Sequence, residues 1–594
     1  MCGIAGYLGP NTDSNMEHVR DMISCIQSRG PDSQQTKQIS ENCILGSARL
    51  RITDFENPES DMPFYSGDQR YVITYNGEVY NYRDLKSELE QEFQFRTNSD
   101  TEILLAAYQK WGEECLYKIN GMFSFCIYDT LSDQAFFAID PAGQKPLYYM
   151  QHEDGIYFSS DMEALVKIPN LPKSWDTKGL AQAIGIMFIF DDRTHIEQIK
   201  KMPSGCFGSW SKQAPTLQVS RYFKLDIHSN EELSDHEISH LKEEIYETTK
   251  QCCFSTFNLE VPYAHLLSGG IDSSSIIAFA KQAKLDLSTY SIGLKAPENT
   301  SDIAYNEFEY SQLVSEHYST NHKQIELTPA HYCDNLVKWS QVCSEPHGAP
   351  EAASLYALFE NIHQDGFKVA FGGNGPDEIF DGYGHGNLLK DTNFNDIAST
   401  YFQTFNGTGG IDFRSLMPDL NPEAAFSEAI QPFLDLYKGQ TDSAQITCAL
   451  NFHTIYPVCE LKQIDQTSMA HSIEVRSPFV ELELVNLAFR TPSYLKHYQG
   501  CEKWIFKEAL RDTLPNVIID RKKAGFPISK TVYQTPEFEA LIETIFEKGS
   551  ALEELGILNI SELKKVWEQD AAKRTIFYRL FILEQLLARH KNYM

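Results

Sequence analysis

The stretch Leu267-Ser268-Gly269-Gly270-Ile271-Asp272-Ser273-Ser274 decides the fold of the second half of this chain. It follows an apolar segment at 264–267, which predicts a buried strand, and it leads into an apolar segment at 273–284, which predicts a helix. Two glycines between a strand and a helix let the backbone approach a phosphate closely, and the helix presents free N–H groups to the anion. The stretch therefore predicts a nucleotide-binding turn. It is not a Walker loop, because it lacks the G-x-x-x-x-G-K-[ST] pattern.

The polar side chains of this turn suit a magnesium nucleotide. Ser268 and Ser273 offer hydroxyl donors, and Asp272 offers a carboxylate of the kind that holds Mg²⁺. A second acidic turn, Gly372-Gly373-Asn374-Gly375-Pro376-Asp377-Glu378, follows an apolar strand predicted at 368–371. Because the ends of parallel strands converge on one crevice, Asp377 is expected to complete the metal site that Asp272 begins. Taken alone, either turn is also compatible with an ordinary surface turn.

The segments around these turns alternate between strands and helices. Further strands are predicted near 289–294 and 323–327, and alternation at this spacing indicates an α/β fold with a doubly wound parallel sheet. The last part of the chain, 451–594, has a mostly helical pattern.

The first part of the chain has a different pattern, with many short strands and few helices, which indicates a layered α+β domain. A helix is predicted at 100–111, with Ser99 or Asp100 as its cap. The sequence turns polar around 210–235, which predicts a boundary between a first domain, 2–220, and a second domain, 236–594. The short strands are predicted at 2–8, 43–50, 71–75, 123–128, 135–139, 147–149 and 156–159.

Length and composition narrow the class of protein. A chain of 594 residues is too long for a single hydrophobic core. Its 82 acidic and 51 basic residues give a formal charge of −31, which opposes binding to nucleic acid or anionic lipid. No apolar run suits a membrane span and no signal core is recognisable, so a cytoplasmic location is expected. The 13 cysteines include no C-x-x-C pairs, which argues against a zinc site and a disulfide framework.

Cys2 has the most unusual position in the sequence, because chemistry is rarely carried so close to the start of a chain. Removal of Met1 would leave Cys2 with a free α-amine, whose ordinary pKa of about 7.7–8.0 lets it act as a base towards the adjacent sulfur. Such a nucleophile needs no histidine partner. The alternative is that Cys2 is a small apolar residue that opens an edge strand.

Met1-Cys2-Gly3-Ile4, followed later by Ser268-Gly269-Gly270-Ile271-Asp272-Ser273, resembles the glutamine-dependent asparagine synthetases. Further motifs over residues 1–530 come in that family's order, and together they are specific for it. These motifs are Arg29-Gly30-Pro31-Asp32, Arg49-Leu50 with Ile52, Tyr75-Asn76-Gly77-Glu78-Val79-Tyr80-Asn81, Ser99-Asp100, Asn120-Gly121-Met122-Phe123, Gly143-Gln144-Lys145-Pro146, Asp377-Glu378, Gly382-Tyr383, Glu474-Val475-Arg476-Ser477-Pro478-Phe479 and Lys503.

The resemblance implies that the first domain is a class II glutamine amidotransferase with an N-terminal-nucleophile fold, a four-layer sandwich of two antiparallel sheets between helices. Cys2 would attack the side-chain amide of glutamine, form a thioester and release ammonia. Asn76 and the backbone amide of Gly77 would stabilise the oxyanion. The implied glutamine-binding residues are Arg49 for the α-carboxylate, with Ile52, Asn76, Glu78 and Asp100 for the α-ammonium and neighbouring contacts.

The resemblance implies that the second domain is an ATP pyrophosphatase. A substrate carboxylate would attack the α-phosphate of MgATP to give an acyl-adenylate and pyrophosphate, and ammonia arriving through an internal tunnel would displace AMP. Lys503 would stabilise the charge that develops on the phosphates, and Asp272 and Asp377 would hold Mg²⁺. The family's ATP-binding positions correspond to Leu267, Ser268, Gly269, Gly270, Asp272, Ser273, Ile292, Gly372 and Gly373.

Ser47 and Ile139 depart from the family's pattern without removing a nucleophile, an oxyanion donor or a metal ligand, whereas Asn374 departs from it at a position that the chemistry uses. Asparagine synthetases carry Gly-Glu-Gly before the Asp-Glu pair, whereas this chain has Gly373-Asn374-Gly375, and an amide cannot accept a proton as a carboxylate does. Three functions stay open: asparagine synthesis from aspartate, the same chemistry on another carboxylate such as a specialised metabolite, a peptide or a sugar acid, and a non-catalytic or ring-closing descendant. Intact Cys2, Asn76 and Arg49 argue against the third. The oligomeric state also stays open, a homodimer included.

Overall fold

The computed structural model describes residues 2–10, 12–153, 155–227, 231–295, 307–405, 413–522, 532–569 and 574–594. The first part of the chain forms two six-stranded sheets, and the second part forms one five-stranded sheet. All 13 cysteines are free thiols, most of them buried. In the described ranges no helix is long and apolar enough to cross a membrane.

The strands of the first part form two antiparallel sheets. They are β1 (Cys2–Leu8), β2 (Ser33–Ser40), β3 (Cys43–Arg49), β4 (Phe64–Tyr65), β5 (Tyr71–Val79), β6 (Gly121–Asp129), β7 (Gln134–Ile139), β8 (Tyr148–His152), β9 (Gly155–Ser159), β10 (Ile199–Lys201), β11 (Cys206–Ser211) and β12 (Ala214–Arg221). The first sheet has the order β10-β8-β9-β1-β3-β2, and the second has the order β12-β11-β7-β6-β5-β4. Each strand predicted from the sequence is present, with ends shifted by a few residues.

The two sheets face each other across an apolar core. Successive side chains of a strand point to opposite faces, so Ile4 and Leu8 of β1 share a buried cluster with Cys126 and Phe137 of the second sheet. Tyr7, on the other face of β1, belongs to a separate buried cluster. Each sheet therefore has a second apolar face that needs a covering layer.

Helices supply these covering layers. Those of the first part are α1 (Thr12–Cys25), α2 (Tyr82–Leu89), α3 (Asp100–Trp111), α4 (Met162–Val166) and α5 (Thr177–Ile186). Val19 and Ile23 of α1 join the cluster on the outer face of the first sheet, and Ile103 of α3 joins the cluster on the outer face of the second. The predicted cap of α3 is confirmed, because the Ser99 side chain accepts a hydrogen bond from the Thr101 amide.

The second part of the chain is organised around a parallel sheet. Its strands are β13 (Tyr263–Leu266), β14 (Ser288–Leu294), β15 (Asn321–Leu327), β16 (Val369–Phe371) and β17 (Glu474–Arg476). They pair in parallel in the order β15-β14-β13-β16-β17. From β13 the chain adds strands first on one side (β14, β15) and then on the other (β16, β17), so the strand order reverses between β13 and β16. Parallel sheets bind ligands in the crevice at such a point.

Most of the remaining chain is helical, which confirms the helical pattern of the C-terminal part; β18 (His497–Tyr498) and β19 (Cys501–Glu502) form a short hairpin there. The helices are α6 (Asp235–Thr256), α7 (Ile271–Gln282), α8 (Phe308–Tyr318), α9 (Pro329–Val342), α10 (Ala352–Gln364), α11 (Pro376–Ile379), α12 (His385–Leu389), α13 (Ile397–Phe405), α14 (Phe413–Leu416), α15 (Pro422–Leu436), α16 (Ser443–His453), α17 (Lys462–Met469), α18 (Leu482–Arg490), α19 (Ser493–Lys496), α20 (Trp504–Ala509), α21 (Asn516–Ile519), α22 (Pro536–Glu543), α23 (Ala551–Leu555), α24 (Ile560–Gln569) and α25 (Thr575–His590).

Three details differ from the sequence-based expectation. Helix α7 begins at Ile271 rather than at 273, because Gly270 has the extended backbone of an N-cap. The predicted polar boundary contains β12, which reads as polar because it is the exposed edge strand of its sheet. Strand β17 has no apolar pattern, since the buried residues Glu474 and Arg476 are charged and neutralise each other through an ion pair of 2.7 Å.

Candidate functional site

Cys2 lies in the interior of the first sheet, so the edge-strand alternative is wrong. Strand β1 pairs with β3 on one side and with β9 on the other. The Cys2 side chain is 7% exposed, and burial raises the pKa of its thiol. A thiol in this position needs a nearby base to form a thiolate. Met1, whose removal would create such a base at Cys2, lies outside the described residues.

Asn76, on β5 of the second sheet, contacts the backbone of Cys2. Its Oδ1 accepts a hydrogen bond of 3.1 Å from the Cys2 nitrogen. Its Nδ2 is buried and has no hydrogen-bond partner among the described residues. A buried donor without a partner costs about 1–3 kcal/mol, and next to a thiol such a donor suits a developing oxyanion. Gly77 follows on the same strand, where a Cβ atom would collide with the backbone of Met122.

Arg49, the predicted carboxylate-binding residue, sits directly opposite Cys2 in the ladder between β1 and β3. Its Nη1 lies 2.7 Å from Asp61 Oδ1, and its Nη2 donates to the Thr53 carbonyl at 3.2 Å. A guanidinium has five N–H donors, so these two contacts leave capacity for a carboxylate. The Ile52 side chain instead packs with Val261 and Val369 of the second part of the chain.

Asp100 and Glu78 are both buried, and both are held by hydrogen-bond donors. Asp100 Oδ2 accepts hydrogen bonds of 3.0 Å from the Tyr75 hydroxyl and from the Val79 amide. Burial raises the pKa of Asp100, and these two donors oppose the shift. Glu78 accepts a hydrogen bond of 2.8 Å from the Thr53 hydroxyl. The two predicted acidic residues are therefore rigidly oriented.

A pocket opens at the reversal point of the parallel sheet, between β13 and β16. Its volume is about 400 Å³, and both predicted turns contribute to its wall. Gly269 and Gly372 are not among its lining residues, although both were predicted to bind the nucleotide. The predicted residues that the pocket does bring together are Leu267, Ser268, Gly270, Asp272, Ser273, Ile292, Gly373, Asp377 and Lys503.

The two glycines that do not line the pocket shape the turns instead. Gly269 has a φ of +79°, and a Cβ atom there would lie 2.5 Å from the Ser311 nitrogen. The Gly372 amide donates to the Arg476 carbonyl at 2.9 Å and so ties the second turn to β17. Gly373 allows the two turns to touch, because its Cβ atom would lie 2.8 Å from the Ser273 nitrogen. The close contacts at Gly269 and Gly373 require glycine for steric reasons.

Lys503 joins the acidic residues of the two turns. Its Nζ lies 2.6 Å from Asp272 Oδ2 and 2.7 Å from Asp377 Oδ1, and its side chain is almost fully buried. Burial alone would lower the pKa of Lys503, but the charges of Asp272 and Asp377 outweigh burial and raise it above its usual value. Lys503 also has a left-handed backbone, with a φ of 52°, immediately before α20. The predicted triad is therefore a single electrostatic unit.

This arrangement fits a magnesium nucleotide. Two carboxylates that converge within reach of one cation form the oxygen donor set that Mg²⁺ prefers. Helix α7 begins beside them at Gly270, and no side chain caps its N-terminus. Backbone N–H groups and a lysine ammonium are the donors that phosphates bind.

The far side of the same pocket is acidic. Glu351 and Glu460 line it together with Asn374, and Asn374 Nδ2 donates to Glu460 Oε2 at 3.3 Å. Glu378 is buried behind this wall and accepts a hydrogen bond of 2.8 Å from the Tyr383 hydroxyl. Of these three glutamates, Glu378 belongs to a motif recognised in the sequence, whereas Glu351 and Glu460 do not.

A buried ion-pair network connects Cys2 with this pocket. Arg29 Nε donates to the Cys2 carbonyl at 3.3 Å, and its guanidinium makes two hydrogen bonds, of 2.8 and 3.2 Å, to the carboxylate of Asp465. Lys145 Nζ lies 3.5 Å from the same carboxylate. Burial opposes the ionised form of Asp465, but the charges of Arg29 and Lys145 prevail and lower its pKa. Asp465 lies on α17, and neighbouring residues of that helix line the pocket. The Arg29–Asp465 pair therefore connects Cys2 with the wall of the pocket.

Replacing Arg29 with methionine is expected to destabilise the protein strongly. The change leaves Asp465 buried with only the more distant Lys145 as a counter-charge, and breaking a buried pair in this way costs about 3–5 kcal/mol. The midpoint of urea unfolding should fall accordingly. Arg511→Met is the matched control, because Arg511 is 36% exposed and its pairs with Glu508 and Asp520 should contribute only about 0–1 kcal/mol. Equal shifts for the two variants would contradict the assignment.

Arg476 makes a second buried connection between the two parts of the chain. Its Nη2 lies 3.0 Å from Glu78 Oε2 in the first part, and its Nε lies 2.7 Å from Glu474 Oε1 in the second. Sequence reasoning quoted Arg29 and Arg476 only as family markers and did not find Asp465 or Glu460. No local pattern could have paired Arg29 with Asp465, since 436 residues separate them.

Comparisons with known proteins agree with this two-part organisation. The family model described as "Glutamine amidotransferase domain" matches residues 1–223, and the model described as "Asparagine synthase" matches residues 241–590. The second match alone covers more than half of the chain.

Two curated relatives match along almost the whole chain, and a third matches about two thirds of it. Asparagine synthetase [glutamine-hydrolyzing] 1 of Bacillus subtilis is 26% identical over 92% of this chain and 90% of its own length. Asparagine synthetase [glutamine-hydrolyzing] 3 of the same organism is 28% identical over 99% of this chain and 97% of its own length. Asparagine synthetase B [glutamine-hydrolyzing] of Escherichia coli is 27% identical over 64% of this chain and 65% of its own length.

Proposed function

Because this chain belongs to the asparagine synthase family, we propose that it makes asparagine by transferring the amide nitrogen of glutamine to aspartate, with ATP cleaved to AMP and pyrophosphate. It is an enzyme of the glutamine-hydrolysing asparagine synthetase type, a carbon–nitrogen ligase. We assign glutamine hydrolysis to residues 2–220, as an N-terminal-nucleophile domain of two sheets between helices. We assign ATP chemistry to residues 236–594.

In the first domain, Cys2 acts as the nucleophile once Met1 is removed. The α-amine takes the thiol proton, and the thiolate sulfur attacks the amide carbon of glutamine. The resulting oxyanion accepts hydrogen bonds from Asn76 Nδ2 and the Gly77 amide, and its collapse breaks the C–N bond and releases ammonia. Arg49 binds the α-carboxylate of glutamine, and Asp100 with Glu78 orients the α-ammonium. Water then hydrolyses the thioester to glutamate.

In the second domain, ATP binds across the two turns with its phosphates at the N-terminus of α7. Asp272 and Asp377 would hold Mg²⁺, which would supply positive charge to neutralise the phosphates. Lys503, positioned between these two carboxylates, stabilises the charge that builds up on the leaving pyrophosphate. The β-carboxylate of aspartate attacks the α-phosphate, and ammonia later displaces AMP from the acyl-adenylate.

The observation that carries this proposal is the buried connection between Cys2 and the pocket at the parallel sheet. The carbonyl of Cys2 and a helix that lines the ATP pocket are bound to the same guanidinium, that of Arg29. A nucleophile such as ammonia would be lost to protonation in bulk water, so production next to the point of use favours transfer through the protein interior.

The proposal is tested by the products of the purified enzyme. Protein whose Met1 removal has been verified by mass spectrometry is given glutamine, MgATP and aspartate. We expect glutamate, asparagine, AMP and pyrophosphate in equal amounts. The result that would overturn the proposal is glutaminase activity without any aspartate-dependent release of pyrophosphate, and a panel of other carboxylic acids would then identify the acceptor.

Glu351 gives the proposed reaction a specific pH dependence. Burial raises its pKa to about 7, and the charge of Glu460 adds to the shift. Glu351 is therefore neutral below pH 7 and adds a negative charge to the pocket above it, which should repel an anionic acceptor. We expect the KM for aspartate in pyrophosphate release to rise several-fold from pH 6 to pH 8. Glu351→Gln should flatten this rise, and Glu243→Gln, on the exposed face of α6, should not; an unchanged rise in Glu351→Gln would contradict the assignment.

A further inference from the structure

We infer that Glu460 is the residue that removes the proton from ammonia during amide formation. The inference rests on the proposed function, because it names a catalytic group for the second half of that reaction. Glu460 lies in the π-helical turn Tyr456–Leu461, directly before α17. It is absent from the motifs that connect this chain with its family.

The chemistry of the step demands a base. When the lone pair of ammonia attacks the carbonyl carbon of the acyl-adenylate, the nitrogen of the tetrahedral intermediate carries a positive charge and three protons. One proton must leave before or as the bond between that carbon and the AMP oxygen breaks, since otherwise ammonia itself is the better leaving group. A carboxylate accepts this proton and passes it to water, and the products are a neutral amide, AMP and one released proton.

Several carboxylates of the pocket are held by other charged or polar side chains. Asp272 and Asp377 share the ammonium of Lys503 at 2.6 and 2.7 Å. Glu378 is 1% exposed and accepts from Tyr383. Glu307, which also lines the pocket, pairs with Arg521, whereas Glu460 contacts the turn that follows β16.

The contact between Glu460 and Asn374 places the carboxylate of Glu460 at the turn that follows β16. Asn374 lies three positions before Asp377 on the same turn, so Glu460 is within one hydrogen bond of the turn that is proposed to hold the metal and the α-phosphate. Asn374 itself offers an amide, which cannot take the proton. Its Nδ2 instead orients the carboxylate of Glu460.

Glu460 also lies on the side from which ammonia would arrive. The segment around it forms the wall between the two domains: Pro457 lies against Gly143 of the first domain, and Asp465 binds Arg29. Between these two contacts, Glu460 and Gln463 turn to the ATP pocket. Gln463 is buried, and its Nε2 has no hydrogen-bond partner among the described residues, so a donor for the incoming acceptor lies beside the base.

The charge on Glu460 also affects the pKa of Glu351. Two carboxylates in one pocket ionise unequally, and the charge of Glu460 contributes to the raised pKa of Glu351.

Glu460→Gln tests the inference, because glutamine keeps an acceptor for Asn374 and loses only the base. We expect glutamine hydrolysis and the first turnover of aspartate-dependent pyrophosphate release to stay within about threefold of wild type. Asparagine formation should fall about 100-fold or more, the usual contribution of a general base. Pyrophosphate would then form in excess over asparagine, and AMP would exceed asparagine only to the extent that water hydrolyses the acyl-adenylate. Glu243→Gln is the control and should leave the ratio at one.

The double variant Asn374→Glu with Glu460→Gln provides a rescue. It places the carboxylate on the other partner of the same hydrogen bond, and we expect it to recover at least about tenfold of the lost asparagine formation. The inference is overturned if Glu460→Gln makes asparagine in step with pyrophosphate, or if pyrophosphate release falls as far as asparagine formation, which would assign Glu460 to acceptor binding. If wild type does not accept aspartate, the proposed acceptor fails, and the same ratios are measured with the acid that wild type does accept.

Discussion

Replacing Cys2 with alanine is expected to abolish glutamine-driven asparagine formation and to leave ammonium-driven formation close to the wild-type rate. Cys2 supplies the only sulfur in the proposed glutaminase chemistry, and loss of a nucleophile costs a hydrolase about 10⁶-fold, so a drop of about 10⁴-fold or more is expected here. The ATP pocket is not lined by Cys2. The measurement is asparagine formed per minute with glutamine and, separately, with ammonium chloride.

The control for this variant is Cys25→Ala, which removes another thiol of the first domain from a partly exposed position near Lys167. Both activities of the control should match wild type. If Cys2→Ala lost both activities, or kept the glutamine-driven one, the division of chemistry between the two domains would be wrong.

Replacing Lys503 with methionine should have the opposite pattern. The change removes the ammonium between Asp272 and Asp377 and with it the charge proposed to stabilise pyrophosphate, so pyrophosphate release should fall about 100- to 1000-fold. Glutamine hydrolysis should persist, because Cys2 and its surroundings are unchanged. Mg²⁺ without nucleotide should also raise the unfolding temperature of Lys503→Met more than that of wild type, since the two carboxylates then lack a counter-charge.

Lys565→Met serves as the control, because Lys565 is exposed and pairs with Glu562 on α24, and neither residue lines the pocket. We expect wild-type pyrophosphate release and no additional response to Mg²⁺ from this variant. Pyrophosphate release at the wild-type rate in Lys503→Met would show that the lysine neutralises the two aspartates only as a structural element.

The sequence predicted the elements that obey a local rule. The strand, glycine turn and helix around Gly269 are recognisable because each residue type has a local reason to be there, and helix α3 was predicted to the residue because Ser99 is a strong cap. The convergence of Asp272 and Asp377 also followed from a general property of parallel sheets.

The sequence could not predict contacts between distant segments. Strand β17 was missed because Glu474 and Arg476 satisfy each other in the interior, so the usual apolar signal of a buried strand is absent. The Arg29–Asp465 pair and the Glu460–Asn374 contact depend on tertiary packing alone. Arg49 is predicted from the sequence to bind a carboxylate, but only the structure reveals that Asp61 holds its guanidinium in place.

The most direct test of the account is the origin of the nitrogen in asparagine. Wild-type enzyme is supplied with glutamine labelled with ¹⁵N at the amide, MgATP, aspartate and a large excess of unlabelled ammonium, at a pH near neutrality. If ammonia passes from Cys2 to the ATP pocket inside the protein, the amide of asparagine carries ¹⁵N far above the proportion in bulk ammonium. An isotope ratio equal to that of bulk ammonium would contradict the account.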